Sequence, residues 1–446
     1  MTGAAAARRR PLLAVRHGYR SIPVLQLAAA ADGLCDLLWV VDSDDPDVAA
    51  TGRLLRRLGT VVDVHGLDDD QAVAAVAAHR PGGVAAFRDE DLVPTARLAA
   101  NCGLPFHAPE LALRLSDKWE QRQSLRAGGL PVPAVWQLPG VRDRSTCATV
   151  ARRATYPAVL KPRAGSGSRH TVLVRDAGEL LDVLAWLDRR PDAAEPMVVE
   201  EYLPGWPGAE HRPFADYVSV ETVADGERLH HLAVTGRLHP AASFRETGFF
   251  VPSHLDGEAH EAVVAAADDA LRALGVRFGC VHTEVKLTPA GPRVIEVNGR
   301  LGGGVAEMLS AAAGVDLLRL GLQLAIGERV PLEAPVACER IGYRLFLQPP
   351  VSARRVRCIG DLRPLGAVPG VQSVSVHLGP GEPVDPTQGT RAFVVAVVGA
   401  AQDHDEVLAV NRKMYELAAV DYDEAGFDGE AGFEQRATAA VASCVA

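Results

Sequence analysis

The sequence predicts a multidomain protein of mixed α/β and α+β class. Short apolar runs alternate with helical segments early in the chain, alternating apolar and polar strands dominate the middle, and strands with one long helix occupy the C-terminal part. With 446 residues, the chain is long enough for about three domains of roughly 150 residues each. We therefore expect several hydrophobic cores rather than one.

Residues 1–115 are predicted to form an open parallel sheet covered by helices, because strands and helices of about ten residues alternate there. The predicted strands are Leu12–Val15, Leu37–Val41, Val61–Val64 and Gly83–Phe87. The predicted helices are Ile22–Ala31, Asp47–Leu58, Asp69–Ala78 and Leu92–Cys102. The segment His17-Gly18-Tyr19 follows the first strand but lacks the full glycine pattern of a dinucleotide site.

A second unit, residues 116–330, begins with a helix that Ser116 is expected to cap and that runs to about Ala127. Further on, a strand ending in Lys161 leads into a loop of small residues that includes Ser166 and Gly167. Successive backbone N–H groups and serine hydroxyls in such a loop can cradle phosphate oxygens, and Lys161 supplies a positive charge beside them. The alternative is a mobile hairpin tip of solubilising residues.

Two later strands carry polar groups that suit a nucleotide. The segment from Met197 to Gly205 is a strand running into a turn, where backbone groups and Glu200 could meet a purine edge. An edge strand protected by charges explains the same pattern. Asp216 begins another alternating strand and could accept hydrogen bonds from ribose hydroxyls.

Residues 281–300 are predicted to form a β-hairpin, since two alternating stretches flank the turn residues 288–292. A hairpin centred on Ala290 places Glu284 opposite Glu296 and His282 opposite Asn298 on one face. Facing carboxylates repel by up to roughly 1 kcal/mol, so a cation is expected between them.

Two Glu and one Asn offer only oxygen ligands, which suit Mg²⁺ or Mn²⁺. A solvated outer face of a two-stranded ribbon is the alternative. Arg300 and the glycines 302–304, which open a predicted helix, favour the functional interpretation because they form an anion site beside the proposed metal.

The segment from Phe244 to Pro252 places polar residues beside aromatic ones. Glu246 could pair with a substrate ammonium group and Arg245 with a carboxylate. Charges that merely rim a loop are the alternative.

Residues 331–425 are predicted to form a small α+β unit, and the tail 426–446 to be weakly ordered. The predicted elements are the strands Ile341–Leu347, Ala353–Ile359, Ser373–Leu378 and Phe393–Val398 and the helix Glu406–Ala419.

Composition narrows the functional classes. The formal net charge of −10 argues against a nucleic-acid partner. Seven scattered cysteines without a C-x-x-C motif favour reduced thiols over a disulfide framework or a zinc site. No stretch is apolar enough for a membrane span or a signal segment, so a cytoplasmic location is expected.

Taken in order, Lys118, Lys161 before the small-residue loop, the strand of Glu200 and the motif Glu296-x-Asn298-x-Arg300 resemble the ATP-grasp superfamily of carboxylate–amine ligases. The resemblance covers about residues 10–330. It implies an ATP-grasp domain in two subdomains, preceded by the N-terminal α/β domain and followed by a C-terminal cap. Residues 244–248 and 300–304 are most similar to L-amino acid ligases that make dipeptides.

The resemblance implies a set of ligands for each group. ATP would be held by Lys118, Lys161, Ser166, Gly167, Glu200, Tyr202, Leu203 and Asp216. Two Mg²⁺ (or Mn²⁺) ions would be held by Glu284, Glu296 and Asn298. Amino acid substrates would meet Glu246, Gly248, Phe249, Arg300, Gly303 and Gly304. The catalytic residues would be Arg300, which steadies the transferring phosphoryl group, and Lys161.

The implied activity is activation of an amino acid carboxylate as an acyl phosphate and its coupling to the amine of a second amino acid. A homodimer is compatible with the resemblance. Relatives often carry His where Phe249 stands and a bulky residue where Gly304 stands, so Gly304 suggests room for a larger first amino acid. Another acyl-phosphate enzyme, carboxylase-like or nucleotide-biosynthetic, and a non-catalytic nucleotide-binding module are the alternatives.

Overall fold

The computed structural model describes residues 10–19, 21–190, 195–208 and 211–424. Its N-terminal part is a parallel sheet with strand order β3-β2-β1-β4 and helices packed on both faces. The elements are β1 (Leu12–Arg16), α1 (Val24–Ala31), β2 (Asp36–Val41), α2 (Pro46–Leu58), β3 (Gly59–Asp63), α3 (Asp69–Ala77), β4 (Gly83–Ala85) and α4 (Leu92–Cys102). The predicted parallel α/β arrangement is confirmed, with element ends that differ by a few residues.

A four-stranded antiparallel sheet follows, in the order β5-β8-β6-β7. The elements are α5 (Pro109–Ser116), α6 (Lys118–Ala127), β5 (Val135–Leu138), α7 (Arg144–Arg153), β6 (Ala158–Pro162), β7 (Val172–Val174), α8 (Ala177–Asp188) and β8 (Met197–Glu201). The predicted cap of α6 is wrong by one residue. Asp117 accepts hydrogen bonds from the backbone of Trp119 and Glu120, whereas Ser116 ends α5 and donates to Ala112.

The largest sheet has eight strands in the order β13-β12-β9-β10-β11-β14-β17-β16, and its paired strands are antiparallel. Five of its strands come from residues 217–298, namely β9 (Tyr217–Asp225), β10 (Leu229–Arg237), β11 (Gly248–Val251), β12 (Phe278–Thr288) and β13 (Gly291–Asn298). The helices of this region are α9 (Gly257–Leu274), α10 (Val305–Ala313) and α11 (Leu317–Ala325). Val281, Val285 and Leu287 share hydrophobic clusters with residues of α9. His282, Glu284 and Lys286 therefore lie on the opposite face of β12.

The C-terminal unit continues the same sheet across residue 330, because β14 pairs with β11. Its elements are β14 (Ile341–Leu347), β15 (Ala353–Cys358), α12 (Arg363–Gly366), β16 (Val371–Val376), β17 (Val395–Ala401), α13 (His404–Ala418) and β18 (Asp421–Glu424). One core joins β14 and β17 to α13 through Leu345, Val397 and Met414. The tail predicted to be weakly ordered lies outside the described residues.

The six cysteines in the described ranges are free thiols, as expected for a protein without a disulfide framework. Within the same ranges no helix has both the length and the apolar character needed to cross a membrane.

Candidate active site

The β12–β13 hairpin sets the geometry of the site. Glu284 pairs with Glu296 and His282 with Asn298, as the sequence predicts. The register shifts after Glu284, so that Val285 pairs with Val294 and Ile295 is the extra residue of a bulge. The turn itself consists of two residues, Pro289 and Ala290, between Thr288 and Gly291. The facing of the two carboxylates is therefore confirmed, although the hairpin is not centred on Ala290 over its whole length.

Cations lie beside each of these oxygen-bearing side chains. Lys118 Nζ is 2.9 Å from Glu296 Oε1 and also donates to the carbonyl of Gly165 at 2.8 Å. Arg300 Nη2 is 2.8 Å from Asp89 Oδ2 and 3.5 Å from Asn298 Oδ1. Burial lowers the pKa of Lys118, but the charge and hydrogen bond of Glu296 outweigh it, so the amine stays protonated.

Glu284 is held from the other side by a buried histidine. His282 Nε2 is 3.5 Å from Glu284 Oε1, and Nδ1 is 2.9 Å from Glu221 Oε2. Burial opposes ionisation of the imidazole, yet Glu221 and Glu284 raise the pKa of His282 to about 9. The Glu221–His282 pair fixes the ring orientation and thereby the position of Glu284.

The donor set fits a divalent cation that prefers oxygen. Glu284, Glu296 and Asn298 lie on one face of the hairpin, and Lys118 already supplies a positive charge at Glu296. In the described ranges no three His, Cys, Asp or Glu side chains are arranged around a common point for a metal. Any ion here must therefore use the Asn298 amide oxygen, or oxygens of a bound phosphate, alongside the two carboxylates.

Lys161 lies at the end of β6 and shares one buried carboxylate with another cation. Its Nζ is 2.6 Å from Glu200 Oε2, and Arg122 Nε is 3.0 Å from Glu200 Oε1. Burial raises the pKa of Glu200, but Arg122 and Lys161 together lower it to about 2. Burial and the neighbouring Arg122 and Lys118 lower the pKa of Lys161. Two cations on one carboxylate leave a positive excess that a phosphate group would balance.

The loop between β6 and β7, residues 163–171, is named the glycine loop here. Gly165 and Gly167 have positive φ, at 112° and 70°, which lets the backbone turn sharply. Ser166 lies close enough to Asp89 to help lower the pKa of that carboxylate, and the carbonyl of Arg163 accepts a hydrogen bond from Lys118 N at 2.8 Å. The loop therefore lies beside both Lys118 and the Asp89–Arg300 pair.

The other residues predicted to hold ATP lie where the two antiparallel sheets approach each other. Tyr202 and Leu203 follow β8, and Tyr202 N donates to Pro157 O at 3.0 Å. Asp216 precedes β9 and lies 2.5 Å from Lys286 Nζ, which in turn sits 5.8 Å from the Tyr202 ring. The nucleotide roles of these residues stay predictions.

Glu246 lies in a second buried polar cluster, next to the acidic hairpin. Arg237 Nε is 3.2 Å from its carboxylate, and the Tyr217 hydroxyl is 3.5 Å away. Burial raises the pKa of Glu246, and the nearby Glu284 adds to this, against the opposing charge of Arg237. Arg237 itself lies over the Phe249 ring at 4.4 Å. A second positive group, such as a substrate ammonium, would stabilise this carboxylate.

The expectation that Arg245 meets a substrate carboxylate is wrong. Its side chain is 1% exposed and donates to the carbonyls of Ala242 and Pro349. Because the neighbouring Glu246 lies in the site, the two adjacent charges point to opposite sides of the loop.

The glycine positions differ in how much space they leave. A Cβ at Gly303 would meet nothing within 4 Å, whereas one at Gly304 would lie 2.6 Å from Arg344 Cδ. Gly304 has φ of 76° and precedes α10. Gly248 packs against Leu238 and Leu345. The space beside Gly304 is thus filled by Arg344, which modifies the expectation of an open pocket there.

Several site residues were missed by the sequence reasoning. They are Asp89, Arg122, Glu221 and Arg237. Of these four residues, only Asp89 could have been predicted as a site residue from the sequence, because it follows a strand of the parallel sheet at the edge where ligands bind. Arg122 and Arg237 looked like ordinary helix and strand charges, and only tertiary packing buries them.

The central part of the chain matches a known domain family. The family model described as the ATP-grasp domain matches residues 115–304. Residues 115–304 form an ATP-grasp domain. The match includes every residue assigned above to ATP, to metal and to the Glu246 cluster, and it ends at Gly304.

Proteins of known structure share the fold over almost the whole chain. The L-amino acid ligase from Bacillus licheniformis superimposes with a TM-score of 0.75 over 94% of this chain and 100% of that one, at 21% identity. The N5-carboxyaminoimidazole synthase from Aspergillus clavatus gives a TM-score of 0.67 over 92% and 99%, at 14% identity. These likenesses confirm the predicted multidomain fold.

Relatives with a similar sequence match this chain over shorter stretches than the solved structures do. The uncharacterized protein y4rH of Sinorhizobium fredii is 30% identical over 309 residues, 68% of this chain and 60% of that protein. Carnosine synthase 1 of Gallus gallus is 34% identical over 264 residues, 56% and 27% of the two chains. Alanine–anticapsin ligase of Bacillus subtilis is 34% identical over 134 residues, 29% and 28%. The chain therefore spans less than two thirds of each of these relatives.

Proposed function

We propose that the protein is an ATP-dependent carboxylate–amine ligase that joins two amino acids. The observation that carries the proposal is the meeting of two features within the ATP-grasp domain. Glu284 and Glu296 face each other beside Lys118 and the glycine loop, and the Glu246 cluster borders them through His282 and Arg237. A cluster suited to an anion and a cluster suited to an ammonium group thus lie side by side.

In the proposed reaction, the carboxylate of the first amino acid attacks the γ-phosphorus of ATP and ADP leaves. The amine of the second amino acid then attacks the acyl phosphate, and inorganic phosphate leaves as the amine gives up a proton. A free carboxylate resists attack because of its negative charge, and phosphorylation removes this obstacle. Such transfer depends on positioning and charge neutralisation more than on covalent help from the protein.

Each part of the site has a role in this scheme. Lys118, Lys161 and Arg300 balance the phosphate charges, and Glu284, Glu296 and Asn298 would hold one or two Mg²⁺ or Mn²⁺ ions, which neutralise phosphate charge when bound. The glycine loop covers the phosphates and excludes water from the acyl phosphate. Glu246 receives the ammonium group of an amino acid.

The names of the relatives support an amino acid substrate. Alanine–anticapsin ligase and the L-amino acid ligase carry an amino acid in their names, and carnosine synthase is named for the compound that it makes. The biotin carboxylase from Campylobacter jejuni shares the fold at 15% identity, so a carboxylase-like reaction is the second candidate. A carboxylase-like reaction leaves the buried Glu246–Arg237 cluster without an ammonium group to bind, because bicarbonate carries none.

The test is a coupled assay for ADP with purified protein, MgATP and pools of amino acids, followed by mass detection of products. ADP release that requires two amino acids, with a product heavier than either, supports the ligase. Release that requires bicarbonate supports the carboxylase-like reaction. Tight ATP binding without ADP release under all conditions would reduce the protein to a nucleotide-binding module.

A further inference from the structure

A C-terminal segment reaches into the site from outside the ATP-grasp domain. This segment, residues 385–392, is named the strap here. Thr390 N donates to Gly167 O at 2.8 Å, and Thr387 O accepts from His170 N at 3.1 Å, so the strap holds the glycine loop at two points. Thr390 Oγ1 accepts from Glu246 N at 3.0 Å. One residue therefore bonds to both the phosphate-binding and the ammonium-binding loops.

The strap packs so closely on the glycine loop that position 389 requires a glycine. Gly389 has φ of 70° and ψ of −142°, outside the helical region of its neighbours. A Cβ on Gly389 would lie 2.0 Å from Gly167 O and 2.6 Å from the carbonyl carbon of Ser168. Backbone therefore packs on backbone, and no other residue type fits without displacing the loop.

Gln348, directly after β14, ties the strap to the Glu246 loop. Its amide Nε2 donates to Glu246 O at 2.8 Å and to Thr390 O at 2.8 Å. The side chain is 6% exposed. The strap and the Glu246 loop are thus bonded to each other both directly and through a buried amide.

Backbone strain is concentrated in the two loops that the strap connects. Six non-glycine residues of the described ranges have φ in the left-handed region, and four belong to these loops. They are Ser168 and His170 in the glycine loop, and Ser243 and Phe244 just before Glu246. Strained conformations of this kind persist only where surrounding contacts hold them, so a shift in one loop changes the contacts that hold the other.

We propose that Thr390 is a positioning residue that couples occupancy of the Glu246 pocket to closure of the glycine loop over ATP. The inference rests on the proposed function, since it takes the ligand of Glu246 to be an amino acid ammonium group. Coupling of this kind is reciprocal, so an amino acid that favours the closed loop also tightens nucleotide binding.

The test is a comparison of nucleotide affinity with and without amino acids. The dissociation constant of the non-hydrolysable analogue AMP-PNP with Mg²⁺ is measured calorimetrically, alone and with a mixture of the twenty proteinogenic L-amino acids. For the unmodified chain we expect the mixture to tighten binding about fivefold or more. Thr390→Val keeps the side-chain volume and the bond to Gly167 but removes the acceptor of Glu246 N. It should bind AMP-PNP alone within about threefold of the parent while losing most of the tightening.

Thr390→Ser, which keeps the hydroxyl, is the matched control and should retain the tightening. If Thr390→Val is too unstable to purify, Gln348→Met removes both amide donations and should weaken the tightening in the same direction. The inference is overturned if Thr390→Val tightens like the parent, if Thr390→Ser loses as much as Thr390→Val, or if Thr390→Val loses affinity for AMP-PNP alone to the same extent.

Failure of the proposed function gives a different result. In that case the unmodified chain shows no tightening by amino acids and releases no ADP with any pair of them, and the inference falls with its premise. Tightening that persists in every variant overturns the inference alone and leaves the ligase proposal standing.

Discussion

Lys118 Nζ lies 2.9 Å from Glu296 Oε1, and this contact joins the first helix of the ATP-grasp domain to the strand that carries its acidic motif. The amine sits where a divalent ion would neutralise the same carboxylate. It also holds the Gly165 carbonyl, so one side chain links the acidic hairpin to the glycine loop. The contact therefore balances part of the negative charge of the two facing carboxylates.

Glu296→Gln should abolish turnover while leaving nucleotide affinity nearly intact. The substitution removes the negative charge needed for a metal ligand but no contact expected for the adenine. We expect the rate of ADP release to fall roughly 100-fold or more, with AMP-PNP affinity changed by only a few fold. Glu258→Gln, at an exposed position of α9, is the control and should behave like the parent. An active Glu296→Gln variant would refute the metal-ligand assignment.

Lys161→Ala should weaken nucleotide binding. The amine contributes one of the two charges that balance Glu200, and its removal takes away the positive excess that attracts phosphate. Loss of a charge-assisted bond corresponds to roughly ten- to 100-fold in the dissociation constant of AMP-PNP, measured by calorimetry. Lys413→Ala, on the exposed face of α13, serves as the matched lysine control. Unchanged affinity in Lys161→Ala would place the phosphates elsewhere.

Glu200 predicts a specific loss of stability in acid. Its pKa is about 2 in the folded chain against an ordinary 4.5, because Arg122 and Lys161 outweigh burial. A depressed pKa stabilises the fold above pH 4.5, and this stability is lost as pH falls from about 4.5 through about 2. The difference corresponds to roughly 3 kcal/mol in the free energy of unfolding.

Urea unfolding between pH 3 and pH 7 measures this effect. Glu200→Gln should be less stable at pH 7 and should lose the part of the acid dependence that Glu200 contributes, whereas Glu258→Gln should keep the parent profile. Parent and Glu200→Gln profiles that run parallel throughout this range would contradict the buried charge cluster.

Much of the fold followed from periodicity. Alternation in β12 and β13 predicted that Glu284 faces Glu296, because the two-residue period fixes the face of every side chain once the turn is known. The bulge at Ile295 was not predictable, since an extra residue in a strand leaves no mark in an alternating pattern this short. The parallel N-terminal sheet followed equally well from alternating strands and helices.

The parts that the sequence did not predict depend on contacts between distant segments. Nothing in the segment around Arg245 and Glu246 says which charge turns inward, because the left-handed backbone at Ser243 and Phe244 sets that orientation. The strap lies in the C-terminal α+β unit, and its contact with Gly167 joins residues more than two hundred positions apart in the chain. Such contacts arise only when the whole sheet is assembled.

Arg344 should control the size of the amino acid accepted beside Gly304. Its side chain occupies the space that a glycine at this position leaves, and an ion pair with Glu307 at 3.3 Å holds it there. We expect Arg344→Ala to shift the products toward bulkier first amino acids, and Gly304→Trp to exclude them, in competition experiments read by mass spectrometry. Glu307→Gln removes the ion pair but keeps the arginine and should change the preference less. An unchanged preference in both Arg344→Ala and Gly304→Trp would remove this region from the substrate pocket.

We propose that Glu284 and Glu296 share a divalent cation that also binds the terminal phosphates of ATP. A crystal structure with AMP-PNP and Mn²⁺, with anomalous scattering to locate the metal, tests it most directly. We predict Mn²⁺ between these two carboxylates and in contact with the nucleotide phosphates, with Lys118 moved away from Glu296. Manganese bound elsewhere, with Glu284 and Glu296 turned from each other or paired only with Lys118 and His282 while the nucleotide is bound, would contradict the account.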